Sequence, residues 1–126
     1  DLEKHLQMPL QMEIIRLSSY GSGFSTSGKV NAVDIKLPDL NGKNVLIVED
    51  IVDTGLTAKF LMDFMHCNFN AKSIKFCSLL DKKITRKVDI EPDYYGFEVD
   101  NKFVVGYGLD YEGYYRNLRY IGYKEM

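Results

Sequence analysis

Three carboxylates, two threonine hydroxyls and one glycine lie within the nine residues from Glu49 to Thr57. They stand between a short apolar run and a segment of helical periodicity, so backbone N–H groups of a helix N-terminus are expected beside them. Such groups suit a phosphate, and Gly55 lets the backbone approach it closely. Carboxylates repel phosphate, so Glu49, Asp50 and Asp53 are expected to accept hydrogen bonds from sugar hydroxyls, bind Mg²⁺ or take a proton. A phosphorylated sugar would use both kinds of group, with its phosphate at the backbone N–H groups and its hydroxyls at the carboxylates.

The segment is expected where a strand is followed by a helix. Asn44 to Val48 is a run of branched apolar residues that predicts a strand buried on both faces, as in a parallel sheet. The helix is expected to begin after an N-cap at Asp53 or Thr54. It is expected to stop at Asn68 or Asn70. Its apolar positions, spaced by three or four residues, are Leu56, Phe60, Leu61, Phe64 and Met65.

Other segments complete an α/β pattern. Ser18 to Gly28 is dominated by serine and glycine and predicts a mobile loop, and Pro38 to Lys43 predicts a turn. Strands that alternate with a helix predict a mainly parallel, open sheet flanked by helices, whose ligands bind beyond the carboxyl ends of the strands. The other predicted strands are Met12 to Leu17, Lys29 to Ile35, Ser73 to Leu80, Tyr94 to Val99, Lys102 to Tyr107 and Tyr120 to Tyr123.

The composition narrows the class of protein. With 126 residues, 45% of them hydrophobic, the chain is expected to form one globular domain. A formal charge of −2 lacks the basic excess typical of nucleic-acid-binding proteins. No apolar run approaches the roughly 18 residues of a membrane span, so neither nucleic acid nor membrane is an expected partner. Cys67 and Cys77 form no metal-binding or disulfide-rich pattern, which favours a cytoplasmic location.

Two other interpretations of the Glu49 to Thr57 segment are open on the residues alone. A buried strand, an acidic turn and an amphipathic helix can occur without any ligand. Asp53-Thr54-Gly55 is also the triplet of aspartic proteases, in which two copies meet in a dimer and share a proton. The helical pattern after the triplet and the extra charge of Glu49 and Asp50 disfavour a protease.

Val45 to Thr57 resembles the phosphoribosyl-pyrophosphate (PRPP) motif of type I phosphoribosyltransferases, in the form V-L-I-V-E-D-I-(I/V)-D-T-G-x-T of the hypoxanthine-guanine branch, and departs from it nowhere. The resemblance implies that Glu49 and Asp50 engage the ribose diol and its Mg²⁺. It implies that Asp53 to Thr57 cradle the 5′-phosphate and that Asp53 is the general base at purine N7. The implied PRPP and nucleotide site is Glu49, Asp50, Ile51, Val52, Asp53, Thr54, Gly55, Leu56 and Thr57.

Two further motifs extend the resemblance to a base site. Leu79-Leu80-Asp81-Lys82 matches a strand end whose lysine donates to the purine 6-oxo group. Lys102 to Tyr111 is close to the family segment K-F-V-V-G-Y-x-L-D-Y, which implies that Phe103 stacks on the base and that the backbone around Val104 reads its edge. The implied purine-binding residues are Lys82, Lys102, Phe103, Val104 and Asp110.

The resemblance also covers a pyrophosphate side. Tyr115-Arg116-Asn117-Leu118 matches an aromatic-Arg-(Asp/Asn)-Leu motif, whose arginine holds pyrophosphate with its planar fork. Ser18 to Gly21 resembles the start of a flexible loop that closes over the site, with Ser19-Tyr20 as its most recognisable pair. The implied metal ligands are Glu49, Asp50 and Asp110.

The resemblance therefore implies a type I phosphoribosyltransferase domain over residues 1–126, assembled as a homodimer or homotetramer. Its implied reaction, in purine salvage, is transfer of the phosphoribosyl group from Mg²⁺-PRPP to N9 of hypoxanthine, guanine or xanthine, with release of pyrophosphate. The strand and pyrophosphate loop that precede the first helix in the family have no counterpart, so the domain is expected to be N-terminally incomplete. A non-catalytic nucleotide- or PRPP-binding regulator on the same fold is the alternative. The motifs do not rank the three purines.

Overall fold

The computed structural model describes residues 1–19, 30–32 and 36–125, in two compact units divided after Asp39. The first unit contains helix α1, Leu2–His5, and an antiparallel pair of strands, β1, Leu17–Ser19, and β2, Val30–Ala32.

Residues 12–16 have no regular structure, so the predicted strand from Met12 to Leu17 is wrong except at its last residue. Strand β2 lies within the second predicted strand. Most of the predicted mobile loop, residues 20–28, lies outside the described residues.

The second unit is built on a parallel sheet of three strands in the order β3-β4-β5. These strands are β3, Asn44–Val52, β4, Ser73–Asp81, and β5, Tyr94–Glu98. Their register pairs Val52 with Asp81 and Asp81 with Glu98, so all three strands end in one row. The residues that follow β3 and β4 are therefore neighbours in space.

Helix α2, Leu56–Asn68, connects β3 to β4 as the apolar spacing predicted. Its buried residues are Ala58, Leu61 and Met65. Ala58 packs with Val52 and Phe76 in the core, where the burial of apolar surface stabilises the βαβ unit. The side chains that complete this cluster are Ile47, Met62 and Ile90.

Two details of β3 and α2 differ from the prediction. Strand β3 is not buried on both faces, because its residues alternate and Leu46 and Val48 remain 40% and 56% exposed. It also continues through the acidic pair to Val52. The N-cap of α2 is neither Asp53 nor Thr54 but Gly55, at φ 85°. Glycine is favoured there because it adopts a positive φ without steric cost.

The rest of the second unit is a 3₁₀ turn at Lys83–Thr85 and an antiparallel hairpin of β6, Phe103–Val105, and β7, Gly122–Lys124. Strand β6 is shorter than predicted because the chain turns directly after it, where Gly106 N–H donates to the Leu109 carbonyl at 2.8 Å. None of the helices in the described part of the chain has the length and apolar character needed to cross a membrane.

Candidate active site

Asp53 and Lys82 meet where β3 and β4 end. The Lys82 N–H donates to the Val52 carbonyl at 2.9 Å, which ties the two strand ends together. Lys82 Nζ lies 4.0 Å from Asp53 Oδ2, with 11% of the lysine side chain and 47% of the aspartate side chain exposed. The Thr85 hydroxyl hydrogen-bonds to Asp53 Oδ1. Oδ2 is thus the oxygen left to act on a ligand together with the lysine.

The turn from Asp53 to Thr57 presents the N-terminus of α2. Gly55 has no side chain with which to cap the helix, and the Leu56 N–H donates only a long hydrogen bond, 3.4 Å, to the Thr54 hydroxyl. The N–H groups of the first helical turn have no partners within the helix. This turn can therefore bind an anion through backbone N–H groups and the helix dipole.

Arg86 and Lys87, which belong to none of the predicted motifs, hydrogen-bond to the backbone of this turn. Arg86 Nε donates to the Asp53 carbonyl at 3.1 Å, and the Lys87 N–H donates to the Thr54 carbonyl at 2.8 Å. The Arg86 guanidinium also forms an ion pair with Asp81, which is fully buried. A sequence signal exists only for Asp81, which lies inside the lysine motif at the end of β4. Arg86 belongs to no motif, and its role depends on the tertiary contact.

Glu49 and Asp50 lie in the C-terminal half of β3 and have different environments. Burial, and secondarily the charge of Asp50, raise the pKa of Glu49 to about 7. Asp50 is exposed, and its Oδ1 accepts a hydrogen bond from the Ile51 N–H at 2.7 Å. Glu49 can therefore either donate or accept a hydrogen bond to a hydroxyl near neutral pH.

The predicted metal ligands do not form one cluster. No group of three His, Cys, Asp or Glu side chains suited to a metal occurs among the described residues, so Glu49, Asp50 and Asp110 make no site from protein ligands alone. Mg²⁺ commonly binds through one or two carboxylates and completes its octahedron with water and substrate phosphates. The acids present fit an ion of that kind, which arrives with a phosphorylated substrate.

Phe103 is held by an aromatic contact on the β6-β7 hairpin. Its ring lies edge-to-face with that of Tyr111, at a centroid distance of 5.6 Å and an interplanar angle of 85°. Lys124 Nζ lies 4.2 Å from the centre of the Tyr111 ring, and Lys102 Nζ lies 4.1 Å from that of Tyr123. Phe103 is still 38% exposed, so it retains surface on which a flat ligand can stack.

Asp110 and Arg116 form a second polar pair in the turns that join β6 to β7. Arg116 Nη2 lies 3.2 Å from Asp110 Oδ1, and Nη1 donates to the Gly108 carbonyl at 2.8 Å. The Gly113 N–H donates to the other Asp110 oxygen at 2.8 Å. The arginine side chain is 60% exposed, so its planar fork is oriented but reachable by an anion.

The structure thus gathers the predicted residues into two groups. Glu49 to Thr57 lie with Lys82 at the strand ends, whereas Lys102, Phe103, Val104, Asp110 and Arg116 lie on the hairpin and its turns. Within the described ranges, no hydrogen bond or ion pair joins the second group to the first. Ser19 ends strand β1 in the first unit, and Tyr20 lies outside the described residues.

Cavity volume does not identify this site. A largely apolar cavity of about 520 Å³ contains none of the predicted residues. A smaller one, about 250 Å³, includes Lys102 and Val104 in its lining. The strand-end groups mark the site instead, because convergent charges beside a helix N-terminus offer specific chemistry. The larger cavity is lined by Leu79, Leu80, Phe97, Val99, Tyr107, Arg119, Tyr120 and Ile121.

Comparison with known proteins agrees with this description. The phosphoribosyl transferase domain model matches residues 2–112. The hypoxanthine-guanine phosphoribosyltransferase of Bacillus subtilis is 48% identical over 97% of this chain and 67% of its own length, and that of Streptococcus pneumoniae gives the same values. A crystal structure of a Staphylococcus aureus hypoxanthine phosphoribosyltransferase superposes with a TM-score of 0.90 and 39% identity. It covers 98% of this chain and 67% of that one.

The chain thus spans about two thirds of the length of these three relatives. The similarity confirms both the type I phosphoribosyltransferase fold and the family predicted from the motifs. This protein belongs to the phosphoribosyl transferase family, among its hypoxanthine-guanine phosphoribosyltransferases.

Proposed function

We propose that this protein catalyses purine salvage, transferring the phosphoribosyl group of Mg²⁺-PRPP to N9 of a 6-oxopurine. The products are inosine or guanosine monophosphate, according to the base, and pyrophosphate. The supporting relatives are named for hypoxanthine and guanine. The new bond joins N9 to the ribose C1′, and the broken bond is that from C1′ to the pyrophosphate oxygen.

The observation that carries the proposal is the pairing of Asp53 with Lys82. In a 6-oxopurine, N7 and the 6-oxo oxygen lie side by side on one edge of the base. Lys82 Nζ and Asp53 Oδ2, 4.0 Å apart, offer a donor to the oxygen and an acceptor for a proton on N7. As N9 bonds to the ribose, positive charge grows on the base, and removal of the N7 proton by Asp53 stabilises it.

The 5′-phosphate of PRPP would bind at the turn from Asp53 to Thr57. The uncapped N-terminus of α2 supplies backbone N–H groups and a positive dipole end. Glu49 and Asp50, which lie in β3 shortly before this turn, would accept hydrogen bonds from the ribose hydroxyls. Mg²⁺ bound with PRPP would neutralise charge on the leaving pyrophosphate.

Pyrophosphate would be held by the hairpin turns. Arg116 offers two guanidinium nitrogens that Asp110 and the Gly108 carbonyl already orient. Asp110 would meet the Mg²⁺ of the leaving group. Phe103, steadied by Tyr111, would stack on the base.

The broader setting follows from the same proposal. PRPP and a 6-oxopurine are the small-molecule partners, the location is cytoplasmic, and the assembly is a homodimer or homotetramer. No observation supports the alternative of a non-catalytic regulator. A regulator has less need for a base, a purine donor and a leaving-group arginine together.

The direct test is product formation. The protein is mixed with PRPP, Mg²⁺ and each of the three 6-oxopurines in turn, and the nucleotide monophosphates are separated by chromatography. Binding of inosine monophosphate is measured on the same sample by calorimetry. Nucleotide formation that requires Mg²⁺ supports the proposal. Binding without turnover would favour the regulator, and absence of both would overturn the proposed function.

A further inference from the structure

The contacts of Arg86 differ from those of a surface arginine. Its side chain is 11% exposed, and its guanidinium group reaches three different parts of the second unit. Nε donates to the Asp53 carbonyl, Nη1 donates to the Ile90 carbonyl, and Nη2 pairs with Asp81. One buried group thus joins the turn after β3, the end of β4 and the segment that leads to β5.

The turn after β3 has little room to move against this arginine. A Cβ added at Gly55 would lie 2.8 Å from Arg86 Cδ and 2.7 Å from Ile90 Cγ2. The Thr54 carbonyl on one side of Gly55 accepts from the Lys87 N–H at 2.8 Å. The arginine stem therefore packs on the turn while its head binds the main chain, and the two contacts together fix the backbone path.

Asp81 is the anchor of the arginine. It is fully buried, and its Oδ2 has no hydrogen-bond partner among the described residues. A carboxylate buried in this way is stable only with a close positive charge, which Arg86 supplies at Oδ1. The pair therefore holds the guanidinium group in one orientation.

We propose that Arg86, held by Asp81, is a positioning residue that sets the backbone of Asp53 to Thr57 for the 5′-phosphate of the substrate. This inference rests on the proposed function, because it assigns the phosphate to that turn. The N–H groups of the turn bind phosphate well only if they converge beforehand, since ordering the turn on binding costs free energy. Arg86 contacts no substrate atom in this role.

The variants are chosen to separate positioning from folding. Arg86→Lys keeps a positive charge for Asp81 but loses the fork that reaches the two carbonyls. Asp81→Asn/Arg86→Gln removes both charges together, so no carboxylate is left buried without its partner. Arg119→Lys is the matched control, because Arg119 is an exposed arginine in the segment that joins β6 to β7.

Two measurements are made on each variant. Calorimetry gives the dissociation constants of inosine monophosphate and of inosine, which lacks the phosphate. Hydrogen exchange follows the turn through the amides of Lys87 and Lys59, which donate to the Thr54 and Gly55 carbonyls, and compares them with the amides of β4. We expect both Arg86 variants to bind inosine monophosphate about tenfold or more weakly, because binding must then order a turn that the charged hydrogen bond of Arg86 no longer holds. We expect inosine binding and the β4 amides to remain as in the wild type, while the turn exchanges faster.

The results distinguish the two proposals. Unchanged nucleotide binding and unchanged exchange at the turn in both variants would overturn the positioning role of Arg86. Equal weakening of inosine and inosine monophosphate would also overturn it, because a general structural defect affects both ligands. If the wild type binds no inosine monophosphate, the proposed function fails, and hydrogen exchange at the turn still decides whether Arg86 fixes it.

Discussion

Lys82 Nζ and Asp53 Oδ2 lie 4.0 Å apart across the ends of two adjacent parallel strands. At this distance the two charges attract each other without a hydrogen bond between them. Each group therefore keeps its capacity for a ligand, the lysine as a donor and the carboxylate oxygen as an acceptor. A base that fits between them would contact both along a single edge.

Asp53→Asn is expected to lower kcat by about 10²- to 10⁴-fold, because the amide cannot take the N7 proton. The amide keeps the shape of the side chain and its contact with Thr85. The measurement is steady-state formation of inosine monophosphate. Asp63→Asn is the control, since Asp63 is an exposed residue of α2 paired with Lys59, and its turnover is expected to match the wild type. Undiminished turnover in Asp53→Asn would exclude this base.

Gly55→Ala is expected to destabilise the protein by more than Gly42→Ala. Both glycines have a positive φ, 85° and 71°, so each substitution carries the cost of a left-handed conformation, about 1–2 kcal/mol. Only at Gly55 does the new Cβ meet Ile90 and Arg86, which adds about 1–3 kcal/mol of overpacking. Urea unfolding measures both values. Equal losses of unfolding free energy in the two variants would show that the packing of Ile90 and Arg86 against Gly55 does not matter.

The raised pKa of Glu49 is expected to make the stability of the folded protein depend on pH. Its pKa is raised from 4.5 to about 7 in the folded protein, so between these values the unfolded chain has lost a proton that the folded protein keeps. Stability is therefore lost as pH rises from about 4.5 to 7 and changes no further above it through this group. At about 1.4 kcal/mol per pKa unit, the full effect is at most roughly 3.5 kcal/mol.

The variant Glu49→Gln tests this directly. It is expected to be more stable than the wild type at pH 8 and to lose that advantage at pH 4, measured by urea unfolding at both values. Glu3→Gln, at an exposed position in α1, is the control and is expected to show no such pH-dependent gain. A gain of the same size at both pH values would contradict burial of the Glu49 charge as the cause.

Tyr111→Ala is expected to weaken purine binding by freeing the Phe103 ring. An edge-to-face aromatic pair contributes about 0.5–1.5 kcal/mol, so KM for the purine is expected to rise about 2- to 12-fold while KM for PRPP changes little. Tyr111→Phe retains the ring and is expected to behave as the wild type. Tyr114→Ala is a second control, because that tyrosine is 71% exposed. A rise in the KM for PRPP alone would contradict the stacking of Phe103 on the purine.

Local sequence patterns were sufficient for the strand, turn and helix from Asn44 to Asn68. The change from an apolar run to three-to-four spacing identified β3 and α2, because these periods report which side chains share a face. The motif also identified the acids, Gly55 and Lys82 as candidates. The pattern failed for the N-cap, since Gly55 occupies that position at a positive φ where no side-chain hydrogen bond is needed.

Tertiary structure alone decided what supports these groups. The burial of Asp81 and its pairing with Arg86 belong to no motif in the sequence, and the contact of Arg86 with the Asp53 carbonyl joins residues that are 33 positions apart. The exposure of Leu46 and Val48 could not be predicted from the sequence either, because a run of branched apolar residues is compatible with a strand covered on one face or on both. The sequence by itself identified the candidate reactive groups and the family, since residue types and local spacing specify both. The parallel register of β3, β4 and β5 determined where those groups meet, because strand pairing is a long-range interaction that no local pattern encodes.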